Sequence, residues 1–563
     1  MTLRDTLEQS AERLGDKTLL RYKRKGEWHE MGYAEFLAKV RNASEFLVSI
    51  CKVRPGDRVA LMGANSPEWC IAHYGITSIG AIAVPTDSKL REQEISHVLS
   101  DSGAIVLVAD IKFYSTVKDL ESSCPALRHV VLIDNRDAPI DFGRQHHVKY
   151  HDFDKLMEAT ASAAAGPSAA YLKYRPADTD IAAFLYTSGT TGRQKGAMLT
   201  HGNFTSNFES LRDAIEIRPD DNFLLILPLH HAFAFTTTLV TPIAAGIEIS
   251  FVESLRTISE NIRETHPTIL LAVPLLLEKI RDKILANIHS NKIAASLWRL
   301  GIRGPIRKQI AENFGGRIRL IVSGGAPIDS QILHQLEDFG LRAREGYGLT
   351  ECAPVLTLNP YDQPFRPRSC GKVLPHVEMT VLDPNEEGVG LLAAKGGNIM
   401  KGYYNNNAAT AETFRDGWFL TGDLGYIDDD NFVFITGRKK SLIVNREGKN
   451  IYPEEVENQI NRSPFILECV VLGYHEPGEP VGEHVGIIVA PNEEAIAAHE
   501  KATRKKLSED EIRDLLRAEV RKQAQELAEF KRPRRIQVRW EEFNKTSTGK
   551  IKRYLYAMNE TSL

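Results

Sequence analysis

Residues 186–203 read YTSGTTGRQKGAMLTHGN, and few folds can carry such a run. Gly189 and Gly192 let the backbone bend so that its amides can approach an anion, while Thr187, Ser188, Thr190 and Thr191 add hydroxyl donors and Lys195 a positive charge. This is the chemistry of a phosphate cradle, and a cradle must hang between packed elements. The apolar and aromatic run Ile181 to Tyr186 predicts a buried strand on one side. On the other, Phe204, Phe208, Leu211 and Ile215 recur at helical offsets, which predicts a helix with Asn203 as its cap. The P-loop pattern GxxxxGK[ST] is absent, because Gly192 is followed by Arg193 and Gln194, and Lys195 by Gly196. A kinase or ATPase of that type is disfavoured.

At 563 residues the chain exceeds one compact core, and about 150 residues per unit predicts three or four. A net charge of -4 argues against broad attraction to nucleic acid. Cysteines at 51, 70, 124, 352, 370 and 469 form no CxxC pair, so neither a zinc site nor a disulfide framework is suggested. The N-terminal residues lack the apolar core of a signal peptide. The longest apolar stretch, Ile269 to Leu277, is broken by Pro274 and falls far short of the ~20 residues that span a bilayer. These features predict a cytoplasmic protein and leave peripheral membrane contact open.

Strand-like runs alternate with helix-like segments from Asp57 to Ile133 and again over about 180–370, with an Ala-, Gly- and Pro-containing connection at 161–177 between them. From about 371 to 436 short segments with frequent turns predict a smaller β-rich unit. Near the end, Ser508 and Glu511 form a capping-box pattern ahead of Ile512, Leu515, Leu516, Val520 and Leu527.

Five further motifs stand in order after the glycine-rich run: SGGAP at 323–327, GYGLTE at 346–351, TGD at 421–423, GRKKSLI at 437–443 and STGK at 547–550. Together they resemble the adenylate-forming superfamily of acyl-CoA synthetases, luciferases and nonribosomal adenylation domains, and they cover most of the chain. The resemblance implies an α/β fold with a large N-terminal domain over 1–436, made of two α/β subdomains (about 1–175 and 176–370) and a β-rich one (371–436). A hinge at 437–441 and a small mobile α+β C-terminal domain over 442–563 complete it.

The same resemblance implies roles for individual residues. Thr187, Ser188, Gly189, Thr190, Thr191, Gly192, Lys195 and Thr350 would meet the phosphates of ATP, with Gly325, Ala326, Pro327, Tyr347 and Gly348 along the adenine. Thr187 and Glu351 would hold Mg²⁺, a hard cation that prefers oxygen ligands. Asp423 and Arg438 would bind the ribose; their alternative reading is a mutual salt bridge. Lys550 would enter the site to neutralise charge during adenylation, and Lys440 would be the hinge about which it leaves. Asn544 departs from the family, standing where a proline commonly precedes Lys545. Gly448 would then face the thiol of coenzyme A, in a loop one residue longer than the commonest form. His231, in a PLxH pattern, with Phe233, Phe235 and Gly324, would border the acyl pocket and thiol entry, with His230 incidental.

The wording around VPLLLEKI (273–280) and NREGKNIYPEEVE (445–457) resembles fatty acyl-CoA synthetases most. The expectation is an AMP-forming ligase that joins a fatty acid to coenzyme A through an acyl-adenylate. Acyl carrier protein as acceptor, a fatty acyl-AMP ligase and a silent nucleotide- or acyl-adenylate-binding protein remain alternatives. Two groups lie outside the motifs. His146, His147 and His151 are read as no metal site. The basic cluster Lys531, Arg532, Arg534 and Arg535 suits either a phosphate, an acidic partner, a lipid, or plain solvent.

Overall fold

The computed structural model describes residues 1–134, 148–163, 169–187, 194–476, 482–545 and 551–558. Two large sheets dominate. The first has seven strands in the order Lys149–Asp152, His129–Ile133, Val106–Asp110, Arg58–Met62, Ile82–Thr86, Ile181–Thr187, Lys195–Thr200. All neighbours are parallel except the last pair, an antiparallel hairpin whose tip carries the glycine-rich run. The inner parallel strands Arg58–Met62, Val106–Asp110 and His129–Ile133 are mostly apolar, as burial on both faces requires.

The second sheet has nine strands and is built around parallel strands Asn222–Leu225, Glu248–Phe251, Ile269–Ala272, Leu320–Ser323 and Ala343–Gly348. The two sheets trade segments across the expected division near 175. The early hairpin Thr18–Arg24/Glu27–Gly32 joins the second sheet through Leu20 beside Ile249, while 181–200 closes the first. Local alternation cannot reveal such an exchange, since pairing between strands over 200 positions apart leaves no periodic trace.

The helix after the glycine-rich run spans His201–Ala214, and its cap differs from the expectation. Strand Lys195–Thr200 intervenes, Thr200 is the cap, and Asn203 sits in its first turn. Each side chain accepts from the other's backbone N–H, at 2.8 and 3.1 Å. The Asn203 amide also donates to the carbonyls of Gly397 and Ile399, so this turn ties the first unit to the β-rich one.

That β-rich unit is a five-stranded antiparallel sheet from Val377–Leu382 to Val433–Arg438. The last unit has its own core around Val456, Val471, Ile487, Leu516 and Val520. It packs helices, including Glu509–Ala524 with both capping-box bonds from Ser508 and Glu511, on the sheet Ile466–Tyr474, His484–Pro491, Arg535–Val538. All six cysteines are buried thiols, and no described helix is long and apolar enough to cross a membrane.

One buried histidine of the core stands out. His73, in helix Pro67–Ser78, is fully buried, lies against Trp69 and Phe235 at ring distances of 5.4 and 4.3 Å, and neither ring nitrogen has a hydrogen-bond partner among the described residues. Burial, aided by nearby His201, lowers its pKa from 6.5 to about 3. The folded state therefore binds fewer protons here than the unfolded chain, and stability is lost as pH falls from about 6.5 toward about 3. His73→Phe keeps the aromatic contacts and removes an unpaired polar group worth roughly 1–3 kcal/mol. Urea unfolding across that range should show the variant more stable and less acid-sensitive; parallel curves would contradict this origin of the acid loss.

Candidate active site

A cleft of about 3060 Å³ opens where both α/β sheets, the β-rich sheet and the C-terminal unit meet. Its floor is set by the carboxyl ends of parallel strands, where an open α/β sheet leaves backbone and loop groups for ligands. Thr187 and Lys195 pair across the hairpin and line it; Ser188, Gly189, Thr190, Thr191 and Gly192 lie outside the described residues. Helix Glu92–Ser102 braces the hairpin on both sides of that loop. Asp101 accepts the Tyr186 hydroxyl at 2.7 Å, and His97 Nε2 is 3.0 Å from the carbonyl of Gln194.

Lys195 Nζ lies 5.2 Å from the Tyr403 ring centre, and the Tyr403 hydroxyl donates to Glu351 Oε1 at 2.7 Å. A cation from the hairpin and an acid from GYGLTE are thus linked through one phenol. Glu351 Oε2 has no hydrogen-bond partner among the described residues. With the Thr187 hydroxyl it gives the hard oxygen donors that Mg²⁺ prefers.

Asp423 is a tightly held acid of the cleft. It is buried, sits opposite Arg438 in the antiparallel pair Trp418–Ile427/Val433–Arg438, and its Oδ1 is 2.8 Å from Arg438 Nε. Oδ2 accepts the Tyr347 hydroxyl at 2.6 Å. Burial and then the Asp423 charge hold that phenol protonated far above its usual range. The salt bridge between Asp423 and Arg438 is present, and both residues also face the cleft beside Tyr347, Gly348 and Thr350. Gly325, Ala326 and Pro327 follow strand Leu320–Ser323 and line the same wall. Next to them Glu345 faces the cleft, its pKa pushed by burial from 4.5 up to about 8.

Toward the other end, His231 caps the short helix Ala232–Phe235 and lines the cleft with Phe233 and Gly324. A Cβ on Gly324 would stand 2.8 Å from Phe233 Cζ, so only glycine lets that ring lie against the strand end. Phe235 needs correcting: it is buried among Trp69, His73 and Phe204 and is absent from the cleft lining. Two positions along a helix turn the side chain to the opposite side. Around Phe233 the lining is apolar, with Ile215, Phe223, Ile269, Leu271 and Val322. His230, read as incidental, lines the cleft with its Nε2 3.5 Å from Asp87 Oδ1.

The C-terminal unit supplies the remaining wall. Lys440 is exposed in the single turn Lys439–Ser441 that follows strand Val433–Arg438, and it lines the cleft. Lys550 lies outside the described residues, but its neighbours Ile551 and Lys552 line the cleft, and Lys552 Nζ is 3.3 Å from Glu94 Oε1. Asn544 has a use that a proline could not serve, since its backbone N–H donates to the Tyr556 hydroxyl at 2.6 Å. Gly448 is away from the cleft in this arrangement, in a turn with φ of +75°, and a Cβ there would meet open space. Its backbone conformation alone accounts for glycine.

The basic cluster is mostly spoken for: Lys531 pairs with Glu455, Arg535 with Glu476, and Arg532 donates to the carbonyls of Leu527 and Gln525. His151 meets His129, ring nitrogens 3.0 Å apart, and His146 and His147 lie outside the described residues. Tyr403, Glu345, Glu94 and Asp87 went unread in the sequence. Glu345 borders a motif and was within reach; Tyr403 lies in a stretch that reads only as a turn, and the other two act through tertiary contact alone.

Known proteins share this architecture. The AMP-binding enzyme family model matches residues 7–404, and the AMP-binding enzyme C-terminal domain model residues 455–550. A long-chain-fatty-acid–CoA ligase of Mycobacterium tuberculosis, FadD15, is 31% identical over 480 residues, covering 80% of this chain and 76% of the relative. A long-chain-fatty-acid–CoA ligase of Escherichia coli is 28% identical over 572 residues, covering 98% and 93%. ATP-bound MatB from Rhodopseudomonas palustris superposes with a TM-score of 0.76 at 25% identity, covering 99% of this chain and 98% of that one. With matching motifs, a matching two-part fold and a cleft where the motifs converge, the chain belongs to the AMP-binding enzyme family.

Proposed function

We propose that this protein is an AMP-forming fatty acid–CoA ligase. The observation that carries the substrate class is the division of the cleft lining. Lys195, Glu351, Asp423 and Arg438 supply charge and hydrogen bonds, whereas Phe233 stands among Ile215, Phe223, Ile269, Leu271 and Val322, a lining suited to an alkyl chain. The long-chain-fatty-acid–CoA ligases among its relatives support the same class.

In the first half-reaction a carboxylate oxygen attacks the α-phosphorus of ATP, the bond to the β-phosphate bridge breaks, and pyrophosphate leaves with the displaced electron pair. The product is a mixed anhydride, the acyl-adenylate. Thr187, Lys195, the glycine-rich run and Thr350 bind the phosphates, and Tyr347 with Gly325, Ala326, Pro327 and Gly348 forms the base side. Asp423 and Arg438 take the ribose hydroxyls, a carboxylate accepting from both. Thr187 and Glu351 would hold Mg²⁺, which when bound neutralises phosphate charge. Lys550 places a positive charge between the carboxylate and the α-phosphate, where negative charge gathers as the bond forms.

In the second half-reaction the thiol of coenzyme A attacks the acyl carbonyl, AMP departs, and a thioester remains. Lys440 is the hinge: it is exposed, in a single turn, between one sheet and a unit with a separate core. Turning there would withdraw Lys550 and bring Gly448 toward the thiol, which enters beside His231.

The two half-reactions can be separated. Lys550→Ala should abolish acyl-adenylate formation while thioester formation from supplied acyl-adenylate survives. Lys440→Pro, which fixes φ at the hinge, should do the reverse. Equal loss of both steps in either variant would contradict the assigned role.

Substrate and acceptor are tested together by product analysis with fatty acids of graded length, offered coenzyme A or acyl carrier protein. Acyl-CoA from fatty acids is the expected product. Transfer to carrier protein alone, or release of acyl-adenylate with either thiol present, would move the assignment to the corresponding alternative.

A further inference from the structure

Three side chains from distant parts of the sequence converge at the edge of the seven-stranded sheet opposite the glycine-rich hairpin. Strands His129–Ile133 and Lys149–Asp152 form that edge, parallel and in register, with His129 beside Lys149 and Val131 beside His151. Side chains alternate along a strand and register partners share a face, so His129, Val131 and His151 project to one side. The packing agrees: Val131 belongs to the core cluster that holds Phe46, Cys51 and Phe153, whereas Val130 and Leu132 belong to the cluster on the other face. His129 and His151 stack at a ring distance of 5.2 Å, with Nδ1 of the first 3.0 Å from Nε2 of the second.

Cys51 reaches that pair from the end of helix Tyr33–Ser49. The chain there is pinned, since the N–H groups of Ile50 and Cys51 both donate to the carbonyl of Phe46, at 2.9 and 3.1 Å, and that of Val53 donates to Leu47 at 2.9 Å. Cys51 is 1% exposed, and its sulfur has no hydrogen-bond partner among the described residues. That sulfur and one nitrogen of each ring all lie within 4.8 Å of one another. Around a tetrahedral ion with metal–sulfur and metal–nitrogen bonds of about 2.3 and 2.0–2.1 Å, ligand atoms stand roughly 3.3–3.6 Å apart, so shifts of about 1 Å complete the set. A hydrogen bond between the rings accounts for the histidine pair alone; it leaves unexplained a thiol brought to the same point from another element. Sulfur and imidazole together are donors for Zn²⁺ or Cu⁺, whereas Mg²⁺ and Ca²⁺ take oxygen. His151 is half-buried, which gives an ion an approach from solvent. The sequence hides the set, because ligands at 51, 129 and 151 share no short spacing.

We propose that Cys51, His129 and His151 bind one thiophilic cation, Zn²⁺ or Cu⁺, through the sulfur and two ring nitrogens. The thiol releases its proton to solvent as the metal–sulfur bond forms. None of the three residues lines the cleft, so the ion is structural: it ties the end of helix Tyr33–Ser49 to both edge strands of the sheet. The site goes beyond the ligase reading and does not depend on it.

The test is titration of the full chain, stripped with a chelator, by Co²⁺ as a spectroscopic stand-in for Zn²⁺. One equivalent should raise a thiolate-to-cobalt charge-transfer band in the near ultraviolet. Zn²⁺ and Cu⁺ are then each added to the cobalt form, and the one that removes the band at the lower concentration is the occupant. Cys51→Ala should abolish the band, and His151→Gln should weaken cobalt binding about a hundredfold or more. Both variants should keep the circular dichroism of the wild type, which shows that they are folded. The ion should also raise the melting temperature of the wild type and leave that of Cys51→Ala unchanged, because it binds the folded state alone. No band in the wild type, or a band that Cys51→Ala retains, would overturn the proposal, since a cation held at Glu351 or by the cleft histidines carries no thiolate band. A wild-type melting temperature indifferent to the ion would overturn it as well. Should Cys51→Ala fail to fold, His151→Gln at the half-exposed edge decides: undiminished cobalt affinity there rules the site out.

Discussion

Two units of this protein meet at one buried carboxylate. Asp423, on the β-rich sheet, holds Arg438 at the last residue before the turn into the C-terminal unit, and it takes the Tyr347 hydroxyl from the end of the second α/β sheet. A buried acid keeps its charge only when paired and hydrogen-bonded, so these elements cannot drift apart without stranding it. The geometry of the cleft follows from that requirement. Removing one member of such a set costs more than the pair contributes, because the survivor is left buried and unpaired. The same three side chains are proposed to meet the nucleoside, so structural integrity and ligand recognition draw on one set of atoms.

The C-terminal unit is held in a different way. It has its own core, and its ion pair to the first unit, Lys552 with Glu94, is partly exposed to solvent. A pair of that kind contributes about 0–1 kcal/mol. The turn Lys439–Ser441, proposed above as the hinge, contains no buried residue. An independent core, an exposed connecting turn and a weak ion pair are what the proposed turning about Lys440 between two successive reactions in one cleft requires. Helix Glu92–Ser102 joins the two regions, because it braces the hairpin through Asp101 and His97 and offers Glu94 to Lys552.

Much of this was legible in the sequence because the chemistry is local. Phosphate binding needs glycine and hydroxyls in a contiguous loop, and the motifs that hold Glu351, Asp423 and Arg438 each keep their polar groups within a few residues. The Ser508–Glu511 capping box was legible for the same reason. What escaped was set by distance. The hairpin at 18–32 joins a sheet whose other strands begin two hundred residues later, and Tyr403 contributes through partners at 195 and 351. Phe235 was misplaced because apolar residues two apart look alike in a sequence, although on a helix one faces the cleft and the other the core. The cap at Thr200 rather than Asn203 is an error of register, made by overlooking a six-residue strand.

The central claim is that the cleft around Asp423 adenylates a carboxylate. Its most direct measurement is exchange of labelled pyrophosphate into ATP as a function of added acid, in the wild type and in Asp423→Asn. The account predicts exchange that depends strictly on a fatty acid, with the ATP concentration needed raised about tenfold in the variant, as loss of a charge-assisted ribose contact of about 1.4 kcal/mol or more would give. Exchange with no acid in the panel, or an Asp423→Asn enzyme with an unaltered requirement for ATP, would contradict it.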